Sequence, residues 1–420
     1  MSRGKDQEGL SRRSILKAAA AGGAALLAPA VVPSARAQAG GGTVHFGCSL
    51  PLTGTYEKVA RIYRDGYDFW ARTVNNEIMV GGKPMGVRWT VYDDENNPSR
   101  VAQLTEKLIT SDKVSCIAGA YGTDTNLAQS AVAARHKFAV IQAGAASSRI
   151  DEEVGGHTTF TLVGAASSYY LAAIDYLATK TPAPKTIALV VVDDPVYHEH
   201  AVGIRERCAR HNIKVVAEEM VPLNVQDFRP TALKLKNLGP VDIIAAPAWD
   251  VVCIKLVQEL STLGVQPKAF IGGHLTANPI VKQSLGPKLQ DVIGVTLWAP
   301  SLKYKDPHFS SPAEFLEKFT ATYGYTPTYH AAMAYAIPLT YEQALKDADP
   351  ADPFNQEKLK AALRALSYES VFGPIAFNAK GRIRNEGMPV LQWFGTDPVA
   401  KIVFPESMAE ASGAYPKVPW

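Results

Sequence analysis

The chain has 420 residues, 47% hydrophobic and 20% charged, an ordinary globular balance long enough for two or three domains. Its formal charge of +3 is set at the N-terminus, where six Lys/Arg precede Gln38 against only Asp6 and Glu8. The remainder holds 37 basic and 38 acidic residues, which excludes the basic footprint that nucleic acid requires.

The first 37 residues read as an export address. Ser11-Arg12-Arg13-Ser14-Ile15-Leu16-Lys17 is a twin-arginine pattern, followed by an Ala-rich apolar run from Ala18 to Val32. Ala35-Arg36-Ala37 then places small residues at −3 and −1 of a cut before Gln38. The run is shorter than the roughly 20 residues a membrane span needs, and Gly22, Gly23 and Pro29 interrupt it. No lipobox cysteine sits at the cut, so a soluble periplasmic protein is expected. Beyond the signal, Cys48, Cys116, Cys208 and Cys253 form no C-x-x-C pair, which argues against a metal or thioredoxin motif. The periplasm permits a disulfide between Cys48 and Cys116, which fall on predicted strands of one half. Buried free thiols are the expected state.

Strands and helices then alternate. A strand over 43–50 ends in Ser49-Leu50-Pro51-Leu52-Thr53-Gly54, and the spacing of Ile62, Phe69 and Val74 predicts an amphipathic helix over 61–76. A turn over 81–86 leads to a strand over 87–93. Asp93-Asp94-Glu95-Asn96-Asn97-Pro98 breaks the chain before a helix over 99–110. Two short apolar runs, 114–118 and 138–141, read as buried parallel strands around an Ala-rich helix over 125–136. A β-α-β unit of this kind puts both strand ends on one sheet edge. Each strand is followed by a small, hydroxyl-bearing loop: Gly119-Ala120-Tyr121-Gly122-Thr123-Asp124-Thr125, then Gln142-Ala143-Gly144-Ala145-Ala146-Ser147-Ser148. Such loops cap helices, and they also present N–H and O–H groups to an anion.

A second half repeats the rhythm. Helices are predicted over 167–180, 196–212, 228–238 and 251–263, with strands over 186–192, 215–220, 241–245, 269–272 and 292–296. Its strand ends carry Asp193-Asp194-Pro195-Val196-Tyr197, Pro247-Ala248-Trp249-Asp250 and Gly272-Gly273-His274, larger and more aromatic loops. Helices over 311–323, 329–348 and 356–365 follow. The chain closes on a hairpin joining 373–378 to 389–394 through Lys380-Gly381, and on an irregular stretch over 400–420.

No G-x-S-x-G elbow, Walker loop or post-strand G-x-G-x-x-G is present, and no metal ligand set stands out, so recognition without chemistry is expected. His198-Glu199-His200 merely alternates and offers no zinc spacing.

The runs V-H-F-G-C-S-L-P-L-T-G, V-Y-D-D-E-N-N-P, G-A-Y-G-T and F-G-P-I-A-F-N-A-K-G-R, in this order, resemble the branched-chain amino-acid (leucine/isoleucine/valine) binding proteins of bacterial ABC transporters. These form the type I periplasmic solute-binding family. The resemblance implies an α/β fold of two doubly wound parallel-sheet lobes joined by a three-crossing hinge. On that template lobe one covers 43–164 plus 297–367, and lobe two 165–296 plus 368–420. It implies a small carboxylate ligand enclosed in the cleft, no cofactor, a monomer, and a permease–ATPase complex in the inner membrane as partner. A ligand-sensing partner for a membrane receptor is the alternative role. By resemblance the carboxylate site falls on Tyr121, Gly122 and Thr123 and on Ala145, Ala146 and Ser147. Ala145 would offer its backbone and Ser147 its N–H and hydroxyl. Tyr197 and Trp249 would approach from lobe two. Two departures matter. Where amino-acid binders carry an acid for the ligand ammonium this chain has His274, and a first-loop aromatic is replaced by Val59, with Tyr56 nearby. An imidazole loses the charge-assisted bond to an ammonium, about 1.5–3 kcal/mol, so an aromatic or other organic acid is expected ahead of an amino acid. Asp194 and Asp250 remain candidate partners for an ammonium.

Overall fold

The computed structural model describes residues 42–273, 279–384 and 387–420. Strand β1 (Thr43–Leu50) leads through helix α1 (Glu57–Thr73) into a hairpin of β2 (Glu77–Val80) and β3 (Lys83–Asp93). β3 starts earlier than its apolar run predicts, because Gly81 and Gly82, at φ 54° and 77°, close a two-residue turn. The chain continues through α2 (Pro98–Thr110), β4 (Cys116–Ala118), α3 (Thr123–Arg135), β5 (Val140–Gln142), α4 (Arg149–Glu153) and β6 (Thr159–Thr161). β6 escaped the sequence reading because Thr159-Phe160-Thr161 is too short and polar to register as a core strand, although all three are buried. The first sheet runs β2-β3-β1-β4-β5-β6, parallel except for edge strand β2.

The helix expected over 167–180 is divided. A 3-10 turn (Ala166–Ser168) precedes α5 (Leu171–Ala178). The elements that follow are β7 (Thr186–Val192), α6 (Pro195–Arg210), β8 (Lys214–Val221), α7 (Arg229–Asn237), β9 (Ile243–Ala245), α8 (Asp250–Thr262), β10 (Ala269–Ile271), α9 (Pro279–Leu285) and β11 (Ile293–Val295). After α10 (Pro312–Tyr323), α11 (Tyr329–Leu345) and α12 (Gln356–Ala365) come β12 (Ser367–Ser370), β13 (Gly373–Ala376), β14 (Val390–Phe394) and β15 (Val399–Phe404). The second sheet runs β15-β14-β11-β10-β9-β7-β8. β14 pairs antiparallel with β11, and β15 pairs antiparallel with β14, so 399–404 is ordered ladder rather than irregular tail.

The expected hairpin between 373–378 and 389–394 does not form. β13 pairs back on β12, and β14 joins the other sheet. Val371, Phe372, Ile375, Phe377 and Ile383 pack into the core of the first sheet, while Met388 and Val390 belong to that of the second. The core contacts thus pass from the first sheet to the second between Ile383 and Met388, where the family template put the boundary at 367/368. The other passages lie over 162–165 and 296–311, giving three in all. Ala146 and Leu297 pack against both cores. All four cysteines are buried free thiols, and burial raises each thiol pKa, that of Cys208 and Cys253 to about 12.

Candidate cleft site

The strand order places a switch point between β1 and β4 in the first sheet and at β7 in the second. In open α/β sheets the crevice outside the carboxyl strand ends at such points receives ligands. Here loops from both sheets meet around one cavity of about 550 Å3.

On the first-lobe side, two buried amides hold the loop after β4. The Ala120 N–H donates to Gln129 Oε1 (2.9 Å), and Asn126 Nδ2 donates to the carbonyls of Ala120 (2.7 Å) and Gly122 (2.8 Å). Gly122, at φ 107°, turns the chain into α3, a conformation that L side chains rarely adopt. The loop after β5 lies directly against it. The Gly122 N–H donates to the Gly144 carbonyl (3.1 Å), and a Cβ on Gly144 would stand 2.5 Å from the Ala120 oxygen. The two loops thus form one continuous wall.

That wall differs from expectation at two points. The Ala145 backbone is already engaged: its N–H donates to Gln142 Oε1 (2.9 Å), and its carbonyl accepts from Gln142 Nε2 (3.0 Å). The buried Gln142 amide requires those partners, which also include Thr161 Oγ1 (2.9 Å). The Ser147 hydroxyl donates to Glu199 Oε1 across the cleft (2.6 Å), and the Ser148 N–H donates to Glu199 Oε2 (2.8 Å).

From the second lobe, Asp194 caps α6 by accepting the Val196 N–H (3.0 Å), which points Pro195 and Tyr197 into the cavity. Tyr197 is 2% exposed, and its hydroxyl has no hydrogen-bond partner among the described residues. Its ring meets Trp249 edge-on with centroids 6.0 Å apart, and Trp249, 56% exposed, forms the rim. Tyr56, Tyr121, Tyr169 and Tyr329 complete an aromatic lining. Burial raises the phenols of Tyr121, Tyr169, Tyr197 and Tyr329, that of Tyr121 to about 12, so at neutral pH these four are uncharged O–H groups. The lining guanidinium, Arg149, is held by Asp124 and Glu153, each at 2.9 Å.

Eight of the expected site residues line this cavity together: Tyr121, Gly122, Thr123, Ala145, Ala146, Ser147, Tyr197 and Trp249. His274 lies outside the described residues. Tyr56, the suggested replacement for the missing aromatic, is also part of the wall, 5.7 Å from Tyr121 between centroids. Sequence reasoning missed Tyr169, His200, Tyr329 and His330. The visible signal was limited to Tyr329 and His330, directly after Thr326-Pro327-Thr328. Among the described residues no group of three or more His, Cys, Asp or Glu could hold a metal ion. His198 pairs with Asp193 (3.1 Å), whereas His200 is buried against Tyr169.

Two α/β lobes, three connections and one enclosed cleft define the class of two-lobed solute-binding proteins. The chain belongs to the periplasmic binding protein family, whose model matches residues 43–397. Its fold is the type I form seen in branched-chain amino-acid transport. A Pseudomonas aeruginosa leucine-, isoleucine-, valine-, threonine- and alanine-binding protein is 22% identical over 84% of this chain and 90% of its own. Among solved structures, an ABC-transporter solute-binding protein from R. palustris in complex with benzoate is 19% identical with a TM-score of 0.67, covering 90% of this chain and 98% of its own. The Streptococcus pneumoniae branched-chain amino-acid binding protein in complex with isoleucine is also 19% identical, with a TM-score of 0.68 over 86% of this chain and all of its own.

Proposed function

We propose that this protein is the periplasmic solute-binding component of an ABC importer, exported by its twin-arginine signal, and that it captures a small carboxylate between its lobes. An aromatic or other organic acid is favoured over an amino acid. The observation that carries this reading is the lining of the cavity. Six aromatic side chains, Tyr56, Tyr121, Tyr169, Tyr197, Tyr329 and Trp249, surround a space suited to one flat body. Aromatic pairs contribute about 0.5–1.5 kcal/mol each beyond simple burial. Neutral phenols and the Thr123 loop offer donors at the rim of that space, as a carboxylate requires. Of the two candidate partners for an ammonium, Asp194 is turned back to cap its own helix. The relatives support both ligand classes, since one solved structure holds benzoate, another 3,4-dihydroxybenzoic acid and a third isoleucine. The bound solute bridges the lobes, because Tyr197 and Thr123 reach one molecule only from both sides of a shut cleft.

The test is calorimetry on residues 38–420, unfolded and refolded to strip any retained solute, against benzoate, 3,4-dihydroxybenzoate, leucine and isoleucine. Tighter binding of the aromatic acids is expected. Binding confined to the amino acids would transfer the site to that class, and a flat response to all four would remove the carboxylate reading.

A further inference from the structure

The second lobe places a carboxylate of the protein's own on the wall where a ligand carboxylate is proposed to bind. Glu199 projects from α6 to the loop after β5, 52 residues away in sequence. Its Oε1 accepts the Ser147 hydroxyl at 2.6 Å and its Oε2 the Ser148 N–H at 2.8 Å. Both lengths belong to charge-assisted hydrogen bonds, about twice as strong as neutral ones. The Ser147 oxygen in turn accepts the Arg149 N–H (3.2 Å), which leaves its single proton aimed at Glu199. The Ser147 carbonyl is fixed by Arg382 at 2.9 Å, so the loop cannot readily swing these donors elsewhere.

A hydroxyl and a backbone amide each have one proton to give. While Glu199 holds both, a ligand acid can take neither, and two carboxylates facing one donor pair repel. The contact also joins the lobes directly, because Ser147 and Ser148 belong to the first and Glu199 to the second. Resting on the solute-binding reading above, we propose that Glu199 is an internal competitor: it occupies the Ser147–Ser148 donor pair, holds the ligand-free lobes together, and sets specificity because a ligand carboxylate must displace it to use those donors. Ligands whose acid is held at the Thr123 side leave the bond intact. Ligands that need Ser147 bind against it.

The experiment compares wild type, Glu199→Gln and Glu199→Ala, each refolded free of solute. The native cysteines are all buried, so spin labels at Lys58→Cys and Asn224→Cys, exposed positions beside Tyr56 and Leu223 of the cleft, report lobe separation. Without ligand, Glu199→Ala is expected to give a longer and broader distance than wild type, with Glu199→Gln between them. Benzoate affinity is expected to rise about tenfold in Glu199→Ala, which corresponds to about 1.4 kcal/mol. Unchanged ligand-free distances would overturn the proposal. So would weaker benzoate binding at unchanged thermal stability, or a selective loss of leucine binding, which would make Glu199 the partner of an ammonium. Should none of benzoate, 3,4-dihydroxybenzoate, leucine and isoleucine bind wild type or variant, the proposed ligand class fails, and the distance measurement alone decides the latch.

Discussion

Arg382 and Asp151, 231 residues apart, form an ion pair in which the Arg382 Nε lies 2.8 and 2.9 Å from the two Asp151 oxygens. The Arg382 side chain is only 3% exposed, and the rest of its guanidinium is satisfied too. Nη1 donates to the carbonyls of Val163 (3.0 Å) and Gly164 (3.2 Å), and Nη2 to that of Ser147 (2.9 Å). One side chain thereby ties the segment entering the last crossing to the first crossing and to the site loop. Removing one partner of a buried, hydrogen-bonded pair strands the other. Arg382→Ala is expected to cost about 3 kcal/mol or more in denaturant unfolding. Arg382→Lys should recover little of it, because a point charge cannot serve three directions at once. Recovery of most of the stability by lysine would show that charge alone matters there.

The two site loops touch at Gly144, where backbone meets backbone. Gly144→Ala puts a Cβ 2.5 Å from the Ala120 oxygen, so the loops must separate. Calorimetry is expected to show at least a tenfold loss of ligand affinity, about 1.4 kcal/mol. Gly86→Ala, on β3 with its nearest neighbour 4.0 Å away, should leave affinity unchanged. Equal behaviour of the two variants would mean that loop contact does not shape the site.

Tyr197 offers a separate reading of donor use. Its hydroxyl is buried without a hydrogen-bond partner among the described residues, so Tyr197→Phe should leave the ligand-free melting temperature equal or slightly higher. If that O–H serves the ligand acid, affinity should fall by about 1.5–3 kcal/mol, the range for a bond to a charged group. A drop in ligand-free stability would instead reveal a structural bond for that hydroxyl.

Asp94 predicts a pH dependence. The residue is fully buried at the end of β3, and burial raises its pKa from 3.8 to about 6 against the opposing Asn96 N–H bond (2.8 Å). The folded state then holds a proton that the unfolded chain has released between those two values. Stability should therefore fall as pH rises from about 4 to about 6 and level off above it. Asp94→Asn, which keeps the shape without the charge, should flatten that slope and stabilise the protein at pH 7 by about 1–3 kcal/mol. A parallel pH profile in the variant would assign the slope to other groups.

Export can be examined without reference to the cleft. On the proposed twin-arginine reading, Arg12→Lys combined with Arg13→Lys should hold precursor in the cytoplasm, since the arginine pair is the receptor-read part of such a signal. Fractionation that finds the double variant processed and periplasmic at the wild-type level would assign the leader to another route.

Local pattern in the chain was enough for much of the fold. Uninterrupted apolar runs such as Thr186–Val192, and punctuation such as Asn97-Pro98 before α2, are short-range properties of neighbouring residues. The two small loops after β4 and β5 were legible for the same reason, because a β-α-β unit must bring its strand ends to one edge. Partners distant in sequence were decided only by tertiary structure. Nothing in Phe377-Asn378 or Gly381-Arg382 says that Arg382 will meet Asp151, or that the core contacts pass to the second sheet after Ile383. Nothing near His198-Glu199-His200 says that the acid crosses to Ser147 while the second histidine packs under Tyr169. Those outcomes follow from burial: once both sheets have formed, each hidden donor and charge must find its complement among residues that only the packed lobes bring within reach.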